Sequence, residues 1–291
     1  MKKYIVTIIV LFFLIFFSIG GYFVYGKIKS NESNNIETVK QKCNTEIEYL
    51  SSNIIGIMNE INNISYTNYK LVNEEIPASD SSSDAQSESN QNQEQNNSQS
   101  NENTINRSNI TIDNIQSVDT KNIKWEEINN KIQEIYSSWT TIMMDLTSVN
   151  VNKDNLLKFN NILDVVSKNI KNKDKSQTLI SLADLYNLIA LYINDFSSDN
   201  EKVNIYNVRS NILYSYAYSE SNNWQKVNEY IIKAEEGFAT ILNNQINNVN
   251  KIDIINKSYI LLNELKQDGK NNDKNAFLIN YANLMQELQT L

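Results

Sequence analysis

Apolar side chains in this sequence fall into stripes separated by short polar runs. Trp125, Ile128, Ile132, Ile135, Trp139, Ile142, Leu146 and Val149 are spaced 3, 4, 3, 4, 3, 4, 3. On a helix of about 3.6 residues per turn, that spacing puts all of them on one face. Similar stripes follow at Leu156, Phe159, Leu163, Val166 and Ile170, then at Leu179, Leu182, Tyr186, Ile189, Ile193 and Phe196. Polar breaks fall at Asn152 to Asp154, Lys171 to Lys175, Ser197 to Asn200, Glu220 to Asn223, Asn247 to Lys251 and Gln267 to Asp273. Breaks of that length join antiparallel helices. The pattern predicts about seven helices of roughly 17 to 28 residues between 121 and 291. No run alternates with period two for long enough to make a strand. The fold class is therefore all-α, either one bundle or a short stack of helical hairpins.

A further seam lies upstream, at Ile47, Leu50, Ile54, Ile57, Ile61 and Ile64, with spacing 3, 4, 3, 4, 3. It predicts an amphipathic helix within residues 30–72. The seam suits two partners equally: a second copy in a parallel coiled coil, giving a homodimer, or the later helices of its own chain.

The first residues read as a membrane anchor. After Lys2 and Lys3, the segment Tyr4 to Tyr25 is uncharged and mostly apolar, and at ~1.5 Å per residue it is long enough for a hydrocarbon core of about 30 Å. Ser18-Ile19-Gly20 offers a small-x-small cleavage site, but the apolar run continues through Val24, and Tyr22 and Tyr25 suit the membrane interface. The expectation is a single-pass anchor over residues 1–29, with residues 4–25 in the bilayer. Lys2 and Lys3 are nearly balanced by Lys27 and Lys29, so charge sets the orientation weakly. A leading apolar segment on a long polar body is the usual arrangement for export, which makes the C-terminal part extracytoplasmic.

Charge is concentrated between these parts. Residues 73–120 carry nine acids against the single base Arg107, which accounts for the whole net charge of -8. The tract opens near Pro77 and is rich in Ser, Asn and Gln, too polar to offset the entropy of ordering, so it reads as a disordered linker. As a flexible coil its root-mean-square span is on the order of 40 Å. The remainder of the chain is neutral in sum and has no basic stripe, which argues against nucleic-acid binding.

Composition removes much chemistry. There is no histidine, and Cys43 is the sole cysteine, so serine and cysteine triads, His-ligated zinc, His-ligated haem and Cys-bound clusters are excluded. Six glycines, three of them within the anchor at residues 1–29, leave no phosphate-cradling loop. Glu229 with Glu235 and Glu236, and Asp268 with Asp273, are the nearest clusters of acids, and neither has the spacing of an oxygen-cage loop. We expect no catalytic residues, no metal, no cofactor and no enzymatic activity.

Two features of one helix are candidates for recognition. Arg209 is one of two arginines; it reads as an ion pair with Asp184 or Asp195 or as plainly exposed, with an anion-binding site as the alternative. Tyr206, Tyr214, Tyr216 and Tyr218 crowd the same helix. Tyr216 points about 200° away from Tyr214 and from Tyr218, so the three cannot share one core. Tyrosine, apolar in its ring and polar at its tip, suits protein recognition. The stretch Tyr218 to Phe238 resembles one tetratricopeptide hairpin: Tyr218, Val227, Ile231 and Ala234 occupy that family's offsets, with Val227 and Ile231 replacing the expected small and aromatic residues. The resemblance implies a helical hairpin turning at Asn222-Asn223. More broadly, the chain resembles single-pass membrane proteins of AT-rich Firmicutes. The expected function is a membrane-anchored extracytoplasmic interaction or scaffold protein facing a protein or cell-envelope partner. The alternative is a small-ligand-binding or sensing domain, which a pocket near Arg209 would favour.

Overall fold

The computed structural model describes residues 36–64, 119–243 and 251–291, all of which belong to one compact unit. The apolar segment 4–25 and the acidic tract up to residue 118, which includes the second unit at 66–113, lie outside the described residues. The described residues form eight α-helices and no strand. They are α1 (36–60), α2 (Trp125–Ser148), α3 (Lys153–Lys171), α4 (Lys175–Phe196), α5 (Asn200–Glu220), α6 (Trp224–Asn243), α7 (Ile252–Asn271) and α8 (Lys274–Thr290). None of these helices is long and apolar enough to cross a membrane.

From α2 onward each helix packs against the next, and α5 also touches α8. The hairpin expected at Asn222-Asn223 is the α5–α6 turn, with Val227, Ile231 and Ala234 buried. Every residue of the α2, α3 and α4 stripes is buried.

Helix ends are set by asparagine and aspartate where glycine is scarce. Five residues adopt a left-handed conformation: Asn63, Asn150, Lys173, Asn222 and Asn272, each just past the end of a helix. In each case the next amide reaches back to a carbonyl of the last turn, as in Asp273 N to Asp268 O at 3.0 Å and Asn223 N to Tyr218 O at 3.1 Å. This six-residue closure satisfies carbonyls that the helix end would orphan, and asparagine tolerates the left-handed region better than most residues. Asn152, Asp174, Asp199 and Asp273 then cap the following helix by accepting its first free amides. The expected break at Gln267 to Asp273 is shorter than the sequence suggests. Helix α7 runs on to Asn271, because Gly269 lets its backbone press against α6 and Asn228 Nδ2 donates to Gly269 O at 3.2 Å.

The seam upstream belongs to this core. Cys43, Ile47, Leu50, Ile54, Ile57, Met58, Ile61 and Ile64 are all buried, so the apolar face of α1 is already covered by the chain itself. Of the two partners the spacing allowed, its own later helices are the ones found. Residues 36–64 therefore form part of the same unit as 119–291 and not a separate juxtamembrane element. Helix α1 runs antiparallel to α2, with Lys42 bridging Asp145 at 2.6 Å, Tyr49 bonded to Ser138 at 3.3 Å and Glu60 bridging Lys131 at 2.6 Å. It runs parallel to α5, with Glu48 on Lys202 at 3.0 Å and Asn62 on Tyr216 at 2.8 Å.

The C-terminal end of α1 is fixed by buried polar groups. Tyr216 OH donates to Met58 O at 2.9 Å, Tyr281 OH donates to Asn59 Oδ1 at 2.9 Å, and the Tyr216 and Tyr281 rings stack at 4.2 Å. Beside them Glu220 accepts from Lys175 at 3.0 Å and from Lys274 at 3.2 Å. Hydrogen bonds that satisfy buried groups specify position as well as adding stability.

Two tests follow from this packing. A Cβ added at Gly56, on the exposed side of α1, meets nothing within 4 Å, whereas one at Gly269 would lie 2.8 Å from Asn228 Oδ1 and 3.1 Å from Ile231 Cδ1. Gly56→Ala should therefore stabilise the fold by ~0.5–1 kcal/mol, and Gly269→Ala should destabilise it by ~1–3 kcal/mol through overpacking. Urea denaturation of each variant reads both signs. The second test concerns pH. Burial, reinforced by the neighbouring Asp145, pushes the Glu46 carboxyl from its usual 4.5 up to about 7, against the opposing Lys42. The folded state then binds an extra proton between those values, so stability falls as pH rises through that window. Glu46→Gln should flatten the dependence of the urea midpoint on pH between 5 and 8, and raise the midpoint at pH 8.

Candidate ligand-binding site

Helix α5 passes through the middle of the helical array, and both of its faces are covered. Tyr216 enters the core described above. Tyr214 and Tyr218, one turn apart on the opposite side, both stack on Tyr230 of α6, at 4.6 and 5.6 Å between ring centroids. Tyr206 is buried and stacks on Tyr186 of α4 at 6.2 Å. The opposed directions expected for Tyr214, Tyr216 and Tyr218 are found. Tyr216 is buried, Tyr214 and Tyr218 are half-buried, and their rings bind the helices together.

Arg209 also departs from expectation. Helices α4 and α5 are antiparallel in a register that sets Asn187 against Ser210 at 3.3 Å and Asp184 against Tyr214, whose hydroxyl donates to it at 2.7 Å. Asp184 is thus more than a turn away from the level of Arg209. Asp195 accepts the backbone amide of Asn152 at 3.0 Å. Neither acid pairs with Arg209, and among the described residues no carboxylate does.

Arg209 instead turns toward the start of its own helix. Its guanidinium carbon lies 5.4 Å from the centroid of the Tyr206 ring, one terminal nitrogen donates to the Leu288 carbonyl at the end of α8, and Nε has no partner. The side chain is only 8% exposed. A buried charge with no counter-ion is costly; the aromatic face and the carbonyl at a helix C-terminus offset part of that cost.

Arg209 lies in the wall of a cavity of about 580 Å³ enclosed by α1, α5, the start of α7 and the end of α8. Ser51, Ser52 and Ile55 come from α1, Ile205 and Tyr206 from α5, and Gln289 from α8. Around them sit two ion pairs that also line the cavity: Lys202 with Glu48 at 3.0 Å, and Lys251 with Glu201 at 2.9 Å. Asp199, with Oδ1 accepting the Lys202 amide as the α5 cap, and Leu291, whose O accepts from Lys251 at 2.6 Å, complete the lining. A volume of this size falls in the range of small-molecule sites, and its lining is mainly polar and charged.

Sequence reasoning singled out Arg209 and Tyr206 but missed the rest of this lining. Glu48 and Ser51 precede Arg209 by more than 150 positions, and no local pattern signals that they meet it. The acids considered as clusters are otherwise engaged: Glu229 with Lys226 and Lys233, Glu235 with Lys266, Asp268 with Asn280, and Asp273 as the cap of α8. No family model, no curated protein and no solved structure matches this chain.

Proposed function

We propose that this chain is a membrane-tethered binding domain without catalysis of its own, which receives a small carboxylate-bearing ligand in the cavity at Arg209. The observation that carries the reading is a buried arginine with no carboxylate partner in the wall of a cavity large enough for a metabolite. A ligand carboxylate would supply the missing counter-ion through the planar fork of the guanidinium. The interaction-protein reading rests on the apolar segment, the upstream seam, the polar tract and the missing catalytic residues, and of these the seam is taken up in packing within the chain. Exposed Met144, Leu157 and Ile260 are scattered over three helices, as single apolar side chains are on any protein surface. Tethering rests on the apolar segment 4–25, and an extracytoplasmic body on the export arrangement of the sequence.

Ligand binding is tested on the full-length protein in detergent micelles, with acetate and the common α-amino acids as probes. A ligand at a hundred times its Kd adds about 2.7 kcal/mol to stability, so binding raises the Tm, and Arg209→Gln abolishes the rise. No rise with any probe overturns the reading. Orientation needs a reporter other than the native thiol, because Cys43 is buried and burial pushes its pKa up to about 11. The double variant Cys43→Ser, Gln225→Cys places a thiol on an exposed turn of α6. Labelling by a membrane-impermeant maleimide on intact cells is the expected result, and labelling only after lysis places the body in the cytoplasm.

A further inference from the structure

Resting on the ligand-binding reading, we infer that the ligand is a zwitterion, an α-amino acid or a dipeptide, with its carboxylate on Arg209 and its ammonium at the carboxylates of Glu48, Asp199 and Glu201. The charges around the cavity carry this. Three bases, Lys202, Arg209 and Lys251, face three acidic side chains, Glu48, Asp199 and Glu201, with Leu291 accepting from Lys251 at 2.6 Å beside them, so the lining presents both signs of charge. A net anion drawn to Arg209 would meet three carboxylates; a net cation drawn to those would meet Arg209 and the lysines. A neutral molecule with separated charges meets neither opposition.

Arg209 is the deepest of these charges. It is 8% exposed, whereas the side chains of Glu48 and Glu201 are 60% and 30% exposed and those of Lys202 and Lys251 are 24% and 31% exposed. Arg209 lies at the bottom, and the acids lie toward the mouth together with the two lysines. Their ion pairs with Lys202 and Lys251 are partly solvated, and such pairs contribute little and exchange partners readily. Arg209 has no such alternative partner.

Spacing selects the size. The guanidinium sits at the level of Tyr206, and Glu201 precedes Tyr206 by five residues, an axial rise of ~7.5 Å. Allowing for the reach of the glutamate side chain and for charge-assisted contacts of ~2.8 Å at each end, the gap fits a molecule whose charges are a few ångströms apart. Ile55, Ile205 and Tyr206 offer apolar surface for its side chain, and Ser51 and Ser52 are hydroxyls within reach of its polar atoms.

The test uses calorimetric titration of the full-length protein with L-leucine, glycyl-L-leucine, N-acetyl-L-leucine and L-leucine methyl ester, after the Tm screen has selected the best α-amino acid to stand in for leucine where the two differ. The zwitterions should bind, and blocking either end should weaken binding at least tenfold. Glu48→Gln, at an exposed position that leaves the core intact, should weaken the zwitterion severalfold and make the binding of the anionic N-acetyl compound no weaker. Arg209→Lys keeps the charge without the fork and should weaken the zwitterion and the N-acetyl compound alike. If the N-acetyl compound binds as tightly as the free amino acid, the zwitterion inference falls while the carboxylate cavity stands. If no probe binds, both fall.

Discussion

Glu220→Gln should be among the most damaging single substitutions in this protein, at ~3–5 kcal/mol. The Lys175 side chain is 6% exposed and that of Glu220 is 11% exposed, and burial lowers the pKa of Lys175 while Glu220 holds it up. Glutamine keeps the shape and removes the charge, taking from the buried Lys175 ammonium the carboxylate 3.0 Å away while Lys274 stays beside it. At roughly 2–4 °C per kcal/mol for a domain of this size, the Tm should fall by on the order of 10 °C. The pair Lys175→Met with Glu220→Leu should recover part of that loss, since apolar groups of similar volume often replace a buried ion pair at little cost. A Glu220→Gln protein that melts with the wild type would show that the contact is solvated.

The second large effect concerns α1. Leu50→Ala and Ile57→Ala each remove a fully buried side chain and should each destabilise by ~2–5 kcal/mol, for a combined effect comparable to the ~5–15 kcal/mol that holds a typical domain together. The readout is specific. All three tryptophans, Trp125, Trp139 and Trp224, lie in the 119–291 part, so fluorescence reports on the body and not on α1. If α1 were an independent membrane-proximal helix, both variants would leave the tryptophan transition in urea unchanged. A large shift to lower urea is expected, and Tyr49→Ala, at a largely exposed position of the same helix, should shift it little.

Periodicity made most of the fold legible. The seams of α1 to α4 were readable because a 3, 4 spacing needs no knowledge of partners. Helix α5 carried no such stripe, since it is covered on both sides; its tyrosines were visible as a crowd but not as a packing pattern. The partner of α1 was not legible because a seam states that a face is apolar and not what covers it. The helix ends were only partly visible, because a polar run locates a break only to within a few residues, and here a residue in the left-handed region, most often asparagine, marks the stop. Arg209 stood out by rarity alone. Its cavity depends on Glu48, Ser51, Lys251 and Gln289, residues that only the packed helices bring together.

The position of α1 in the core also dictates an order of assembly. Asn59 meets Tyr281 across 222 positions of chain. At ~5–20 residues per second of synthesis, α1 leaves the ribosome on the order of ten to forty seconds before α8 exists to receive it. During that interval its row of isoleucines has only the cover that the earlier helices supply, and closure of the core waits for the last helix to be made. Truncation near the C-terminus should therefore strand the N-terminal helix, and the protein should depend during biosynthesis on whatever shields that seam.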